Sequence, residues 1–290
     1  MVLDMTRFPR ILTYLLFLVV MLTSCFPASA QWLQYERIPT PFIEKGKPVT
    51  LEAVVVKPRG SGPFPTLLFL HGSTGRGDDP QRFTRTWQSE NLTRYFNDQG
   101  WMVVYPQRRG RGKSDGLYDE GFNADRSRYS CEPAESLAGV QRAIEDTKAI
   151  TEWLRARPDV NKDRLLIGGQ SRGGILAVAY AGGHAGQYRG VLNFVGGWMS
   201  DRCPDPKAIN TATFAGAAAK AGVPTLWMYG QGDPFYSIEH SKSNFDAFIA
   251  AGGQGQFFAL EPVGVENGHG ILGNTKLWQS QVSAFVEQIK

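Results

Sequence analysis

Cysteine and histidine are scarce in this chain, with three and four residues respectively among 290. The histidines are scattered, none pairs with another at helical or zinc-like spacing, and no cysteine lies in a ligand pattern, so no metal site is expected. An excess of charge is also lacking. The formal balance is +4, and removal of residues 1–30, which carry Arg7, Arg10 and Asp4, lowers it to +3. So small an excess, spread without a basic block, argues against a nucleic-acid or membrane-surface protein. One local exception, Arg108, Arg109, Arg111 and Lys113, reads as a structured loop. No internal repeat, linker or low-complexity tract interrupts the chain. No apolar run is long enough to cross a bilayer comfortably: residues 11–22 fall short of the ~20 residues a spanning helix needs.

That short run has an address-like setting. Arg7 and Arg10 precede it, and Ala28-Ser29-Ala30 follows with the small-x-small pattern of a cleavage site. Residues 1–30 are therefore expected to be a signal peptide and the protein to be exported, periplasmic or secreted. Leu22-Thr23-Ser24-Cys25 offers the alternative of a lipobox, in which Cys25 would be lipidated and anchor the mature chain. Neither route leaves a transmembrane anchor. In an oxidising compartment the two remaining cysteines, Cys131 and Cys203, could form a disulfide; two unrelated buried thiols are the alternative.

Beyond the leader, residues 31–290 alternate strand-like and helix-like patterns, the signature of helices packed on both faces of a mostly parallel sheet. Strands are expected at residues 50–57, 65–71, 101–105, 164–168, 190–195, 224–229 and 256–260. The helical patterns fall at 81–97, 133–157, 173–181, 208–221, 238–251 and 274–289.

Chemistry concentrates at the ends of these strands. Gly169-Gln170-Ser171-Arg172-Gly173 lies between a strand and a helix, a setting that puts a serine on a tight, strained turn with its hydroxyl above the sheet. A serine needs a base held by a carboxylate. His71 ends a strand, His240 sits inside a helical pattern, and His184 lies about 18 Å away along a helix rising ~1.5 Å per residue. His269, in Asn267-Gly268-His269-Gly270, remains as the base. Asp233 follows a strand directly and completes the order Ser, Asp, His; Asp201, Asp205, Glu261 and Glu266 are alternatives that read as loop charges. The oxyanion donors are expected to be the amide of Arg172 and that of Ser73, or of Gly72, in His71-Gly72-Ser73-Thr74-Gly75.

Taken in order, these motifs resemble the α/β-hydrolase family, and more narrowly its dienelactone-hydrolase-like and prolyl-oligopeptidase-like single-domain members. The likeness covers residues 50–290. Residues 105–114, Tyr-Pro-Gln-Arg-Arg-Gly-Arg-Gly-Lys-Ser, are similar to the family's R-G-x-G-x-S loop, which implies that the basic cluster is mainly scaffold. Dienelactone hydrolases proper use a cysteine nucleophile where this chain has Ser171, a departure that separates it from the lactone substrate. A small cap insertion is expected near residues 196–213. Trp198 and Met199 from that segment, with Phe235 and Tyr236 beside Asp233, are candidates for an apolar substrate pocket, core packing being the alternative. Arg172 could meet a substrate carboxylate or form a structural ion pair.

The expected activity is hydrolysis of a small-molecule carboxylic ester through an acyl-enzyme, with no cofactor. Two other classes stay open: a serine peptidase of prolyl-oligopeptidase-like type, and a non-catalytic binding protein on the same fold.

Overall fold

The computed structural model describes residues 32–289. The expectations for residues 1–30, a leader ending at Ala30 and a lipobox at Cys25, lie outside the described residues. Among those described, no helix is long and apolar enough to cross a membrane.

Eight strands form one sheet: β1 (Trp32–Glu44), β2 (Lys47–Lys57), β3 (Phe64–Leu70), β4 (Met102–Gln107), β5 (Val160–Gln170), β6 (Gly190–Phe194), β7 (Pro224–Gly230) and β8 (Gln254–Leu260). Their spatial order is β1-β2-β4-β3-β5-β6-β7-β8. β1 pairs with β2, and β2 with β4, antiparallel; every other pairing is parallel. This is the expected α/β-hydrolase architecture. The inner strands are apolar on both faces because helices cover both: Val54, Val55 and Val56 of β2, Leu67 to Leu70 of β3, and Leu226 to Tyr229 of β7 are all buried.

Six helices are described: α1 (Glu90–Asn97), α2 (Pro133–Ala156), α3 (Arg172–Gly183), α4 (Asn210–Ala221), α5 (Ile238–Ala250) and α6 (Gln279–Gln288). Helices α2 to α5 pack successively on one another. On the other side α1 meets the start of α6, where Tyr95 crosses the Trp278 ring at 5.0 Å and bonds the Ser283 hydroxyl at 2.7 Å. A disulfide joins Cys131, just before α2, to Cys203, in the connection between β6 and α4.

Three expectations need correction. The sequence pattern does not predict β1, because residues 32–44 alternate only weakly, with Leu33, Tyr35 and Ile43 exposed. The pattern over residues 81–97 is helical only from Glu90. Pro80 starts a single 3-10 turn, Pro80–Arg82. Beyond it the Gln107 side chain clamps Trp87, accepting from its amide at 2.9 Å and donating to its carbonyl at 2.9 Å. Backbone groups committed in this way cannot join a helical ladder, and α1 begins only where Ser89 caps the Leu92 amide. Likewise residues 274–289 split into a 3-10 turn, Thr275–Leu277, and α6, because Trp278 leaves the helical conformation to bury its indole against Phe194.

Candidate active site

Ser171 stands between the end of β5 and the start of α3 with φ 57° and ψ −125°. An L-residue there stores roughly 1–3 kcal/mol of backbone strain. The turn is tolerated because its neighbours are glycines: a Cβ on Gly173 would lie 2.1 Å from the Leu70 carbonyl oxygen. Ser171 is in turn anchored, its amide donating to Phe194 O at 2.9 Å and its carbonyl accepting from Gly197 at 3.2 Å. Being the first residue of α3, Arg172 has an amide with no intrahelical acceptor.

Asp233 and His269 approach from the ends of β7 and β8. Their loops touch back to back at two glycines, where a Cβ on Gly230 would sit 2.4 Å from Gly268 O and one on Gly268 would sit 2.3 Å from Gly230 O. Asp233 is fixed by the chain that follows it, since its Oδ1 accepts from the amides of Phe235 at 2.8 Å and Tyr236 at 3.2 Å. Its other oxygen, Oδ2, is 2.8 Å from His269 Nδ1. With Nδ1–H donating to the carboxylate, the Nε2 lone pair is left for another partner. The His269 loop is also tied to the serine turn, because Gln170 Nε2 donates to His269 O at 3.0 Å and Asn267 caps the His269 amide at 2.9 Å.

Tyr236 sits between the two halves of the site. Its ring lies 5.9 Å from the imidazole, and its phenol is beside the Ser171 side chain. Burial raises the phenol above its ordinary range, opposed by the nearby Arg172 charge, so it stays a neutral hydrogen-bonding group. Phe235, half exposed, packs its ring 4.8 Å from His269.

The loop after β3 carries the second amide. His71 is fully buried, donates from Nδ1 to Gly72 O at 2.7 Å and accepts from the Arg108 amide at Nε2 at 3.1 Å. Desolvation, helped by Arg108 and Arg111, holds its pKa well below the ordinary value, so it is a neutral strut that shapes the turn. Gly72 then passes so close that a Cβ would be 3.2 Å from Ser171 Cβ. Ser73 is thereby at the rim beside the serine, its amide without an acceptor among the described residues. Thr74 is held by Tyr129, whose hydroxyl accepts from the Thr74 amide at 3.1 Å.

Behind the serine lies a buried charged frame. Arg108 Nε meets Glu120 Oε1 at 2.5 Å, Tyr118 donates to Glu120 Oε2 at 3.0 Å, and Arg172 Nη1 lies 3.8 Å from the same oxygen. The Arg172 guanidinium is sandwiched between Tyr129, 3.5 Å from the ring centroid, and Trp198, 4.4 Å, and donates to the carbonyls of Glu120 and Trp198. Of its two expected roles, the side chain therefore fills the structural one. Trp198 and Met199 are buried, with both amides on Asn210 Oδ1. They belong to the wall behind Arg172, whereas Phe235 and Tyr236 flank the imidazole. Asp201 links the segment around residues 196–213 to the Asp233 loop, its amide donating to Phe235 O and its Oδ2 accepting from Ser237. His240 is held between Asn210 and Asn244. Among the described residues no group of His, Cys, Asp and Glu side chains could hold a metal ion. Sequence reasoning missed Tyr129 and Glu120; no local pattern distinguishes them from other loop residues.

Residues 45–200, just over half of the chain, match the X-Pro dipeptidyl-peptidase (S15) family. The chain belongs to that family. The S15 match takes in Ser73, Ser171 and Arg172 and stops short of Asp233 and His269. A stretch of 56 residues is 43% identical to the prolyl oligopeptidase ophP of Omphalotus olearius, covering 19% of this chain and 8% of that protein. Among solved structures, an esterase of Pyrococcus furiosus, Pf2001, is similar over 89% of this chain and 92% of its own, with a TM-score of 0.62 at 16% identity. An acylaminoacyl peptidase of Pyrococcus horikoshii is similar over 93% of this chain, with a TM-score of 0.60 at 15% identity; this chain spans 42% of it. Membership of the S15 family on an α/β-hydrolase fold makes the protein a hydrolase.

Proposed function

We propose that this hydrolase is an exported serine esterase that cleaves carboxylic esters through an acyl-enzyme. Ser171 attacks the ester carbonyl, His269 takes its proton at Nε2 and returns it to the leaving alcohol, and Asp233 holds the imidazole in that tautomer. The amides of Ser73 and Arg172 receive the oxyanion, reinforced by the N-terminus of α3. On attack the serine hydroxyl bonds the imidazole, in keeping with catalytic hydrogen bonds that tighten only in the substrate complex. Tyr236 and Phe235 line the entry, and the segment near residues 196–213 covers part of it. The reading is carried by the 2.8 Å contact between His269 Nδ1 and Asp233 Oδ2 beside a serine on a strained strand-to-helix turn. Export is supported by the Cys131–Cys203 disulfide, which suits an oxidising compartment. Turnover of short-chain p-nitrophenyl esters by wild type and by Ser171→Ala tests the proposal: a loss of several orders of magnitude is expected, and equal rates would discard it.

A second reading, peptide hydrolysis at the same residues, is favoured by the S15 match and by the prolyl oligopeptidase likeness. It requires firm protonation of an amine leaving group by His269. A panel of aminoacyl and prolyl amides run beside matched esters separates the two, by whether amides are cleaved at comparable kcat/KM.

A further inference from the structure

Tyr129 lies between β4 and α2 on a segment without a catalytic motif, yet it touches both halves of the expected oxyanion site. Phe122 pairs with it through an isolated antiparallel bridge and stacks on its ring at 4.4 Å, while the Arg172 guanidinium lies 3.5 Å from the same ring centroid. Contacts this close cannot share one face, so the ring is clamped between them and its hydroxyl is held in place.

That hydroxyl belongs to a chain of hydrogen bonds with a fixed direction. Glu120 is a buried carboxylate, held below its usual range against desolvation by the Arg108 charge, so it can only accept. Tyr118, whose phenol is raised by burial and stays neutral, spends its one proton on Glu120 Oε2 at 3.0 Å. Its oxygen, 2.8 Å from that of Tyr129, must then accept from Tyr129. Tyr129 has no second proton and turns a lone pair to the Thr74 amide at 3.1 Å. The Thr74 hydroxyl, 3.3 Å away, is committed to Arg76 O at 3.0 Å. A hydroxyl chain that ends on a charge is polarised along its length, which strengthens the Tyr129 oxygen as an acceptor.

On the other side of Ser73, His71 Nδ1 donates to Gly72 O at 2.7 Å. Because a peptide unit is planar, that bond sets the direction of the Ser73 N–H, and the Tyr129 bond sets the next peptide plane. Only the two soft dihedrals of Ser73 lie between these planes, and with both planes held neither can drift.

We propose that Tyr129 is a positioning residue for oxyanion stabilisation: it holds the Ser73 turn through the Thr74 amide and Arg172 through its guanidinium, while Tyr118 and Glu120 aim its hydroxyl. The assignment rests on the serine-esterase reading, in which the Ser73 and Arg172 amides receive the oxyanion.

Tyr129→Phe tests it on the full-length protein, since it keeps the clamped ring and removes only the hydroxyl. Turnover of p-nitrophenyl acetate should fall roughly three- to tenfold, the effect of one hydrogen bond, through kcat and not KM. The Ki of hexyl trifluoromethyl ketone, whose serine adduct places an oxyanion where the reaction does, should rise by the same factor. Tyr118→Phe, which cuts the chain one step further out, should show a smaller loss of the same kind. Hydrogen exchange of residues 72–76, followed by mass spectrometry, should quicken in Tyr129→Phe whether or not an ester is cleaved. Wild type without Ser171-dependent turnover sinks the esterase reading, and exchange then decides the hold on the turn alone. Ser171-dependent turnover with kcat and ketone Ki unaltered in Tyr129→Phe, a loss confined to KM, or unchanged exchange overturns the role assigned to Tyr129.

Discussion

Breaking the Cys131–Cys203 bond tests how this domain is held together at its active-site end. The two half-cystines are 72 residues apart in the chain, and the loop-entropy relation for that separation gives about 4 kcal/mol of stabilisation, exerted on the unfolded ensemble. Domains of this kind have only about 5–15 kcal/mol in total, so the bridge is a large share. The bridge also acts on the folded side. Cys131 follows Tyr129 by two residues and Cys203 follows Trp198 by five, and those two rings form the sandwich around Arg172. Tyr129 in turn holds the Thr74 amide, next to Ser73. A Cys131→Ser/Cys203→Ser double variant, or wild type in reductant, should therefore melt roughly 8–16 °C lower at about 2–4 °C per kcal/mol for a domain of this size. It should also lose ester turnover below its melting range, through loosened positioning of Ser73. Thermal melts followed by circular dichroism, with free thiols titrated before and after reduction, read the first effect. A shift under about 3 °C with the bridge demonstrably broken refutes the entropic reasoning.

Three further outcomes follow from the same physical picture. Glu120→Ala leaves the buried Arg108 and Arg172 without their carboxylate and should cost about 3–5 kcal/mol in chemical denaturation, whereas a loss under 1 kcal/mol means that water or other groups solvate the pair. His71 is held neutral when folded, its pKa depressed below the unfolded value of 6.5, so the unfolded chain takes up a proton first as pH falls. The stability this group contributes is complete above the unfolded pKa and is lost below it, at up to about 1.4 kcal/mol per pH unit, until the folded pKa is reached. The stability difference between wild type and His71→Asn should therefore shrink from pH 7 to pH 5, and a difference independent of pH contradicts a neutral buried imidazole. Gly173→Ala forces a Cβ to within 2.1 Å of a backbone oxygen and should cost about 1–3 kcal/mol or more while moving the serine, read as lower stability together with lower turnover.

Much of the framework was legible because each signal had a local physical cause. Short apolar runs bounded by proline and glycine marked the buried strands, and the glycines around Ser171 marked a turn whose backbone has no room for side chains. His269 and Asp233 could be picked out by elimination, since few histidines exist and only one stands in a mobile-looking glycine loop after the last strand. What the sequence concealed depended on partners far along the chain. The helical pattern over residues 81–97 yields to a clamp on Trp87 from Gln107, a residue of β4. Arg108, Arg109 and Arg111 look equivalent in the chain, yet two meet carboxylates brought by distant elements and one does not. From its place after Asp233, Tyr236 reads in the sequence as a pocket residue. Its closeness to both Ser171 and His269 arises only because the β5 and β7 loops meet.

The most direct measurement is covalent labelling of the folded, full-length protein with a fluorophosphonate, followed by peptide mass spectrometry. A single adduct on Ser171 is predicted, absent in Ser171→Ala and strongly slowed in His269→Ala. An unlabelled folded protein, or an adduct formed at another residue at the same rate, contradicts a nucleophilic serine activated by that imidazole.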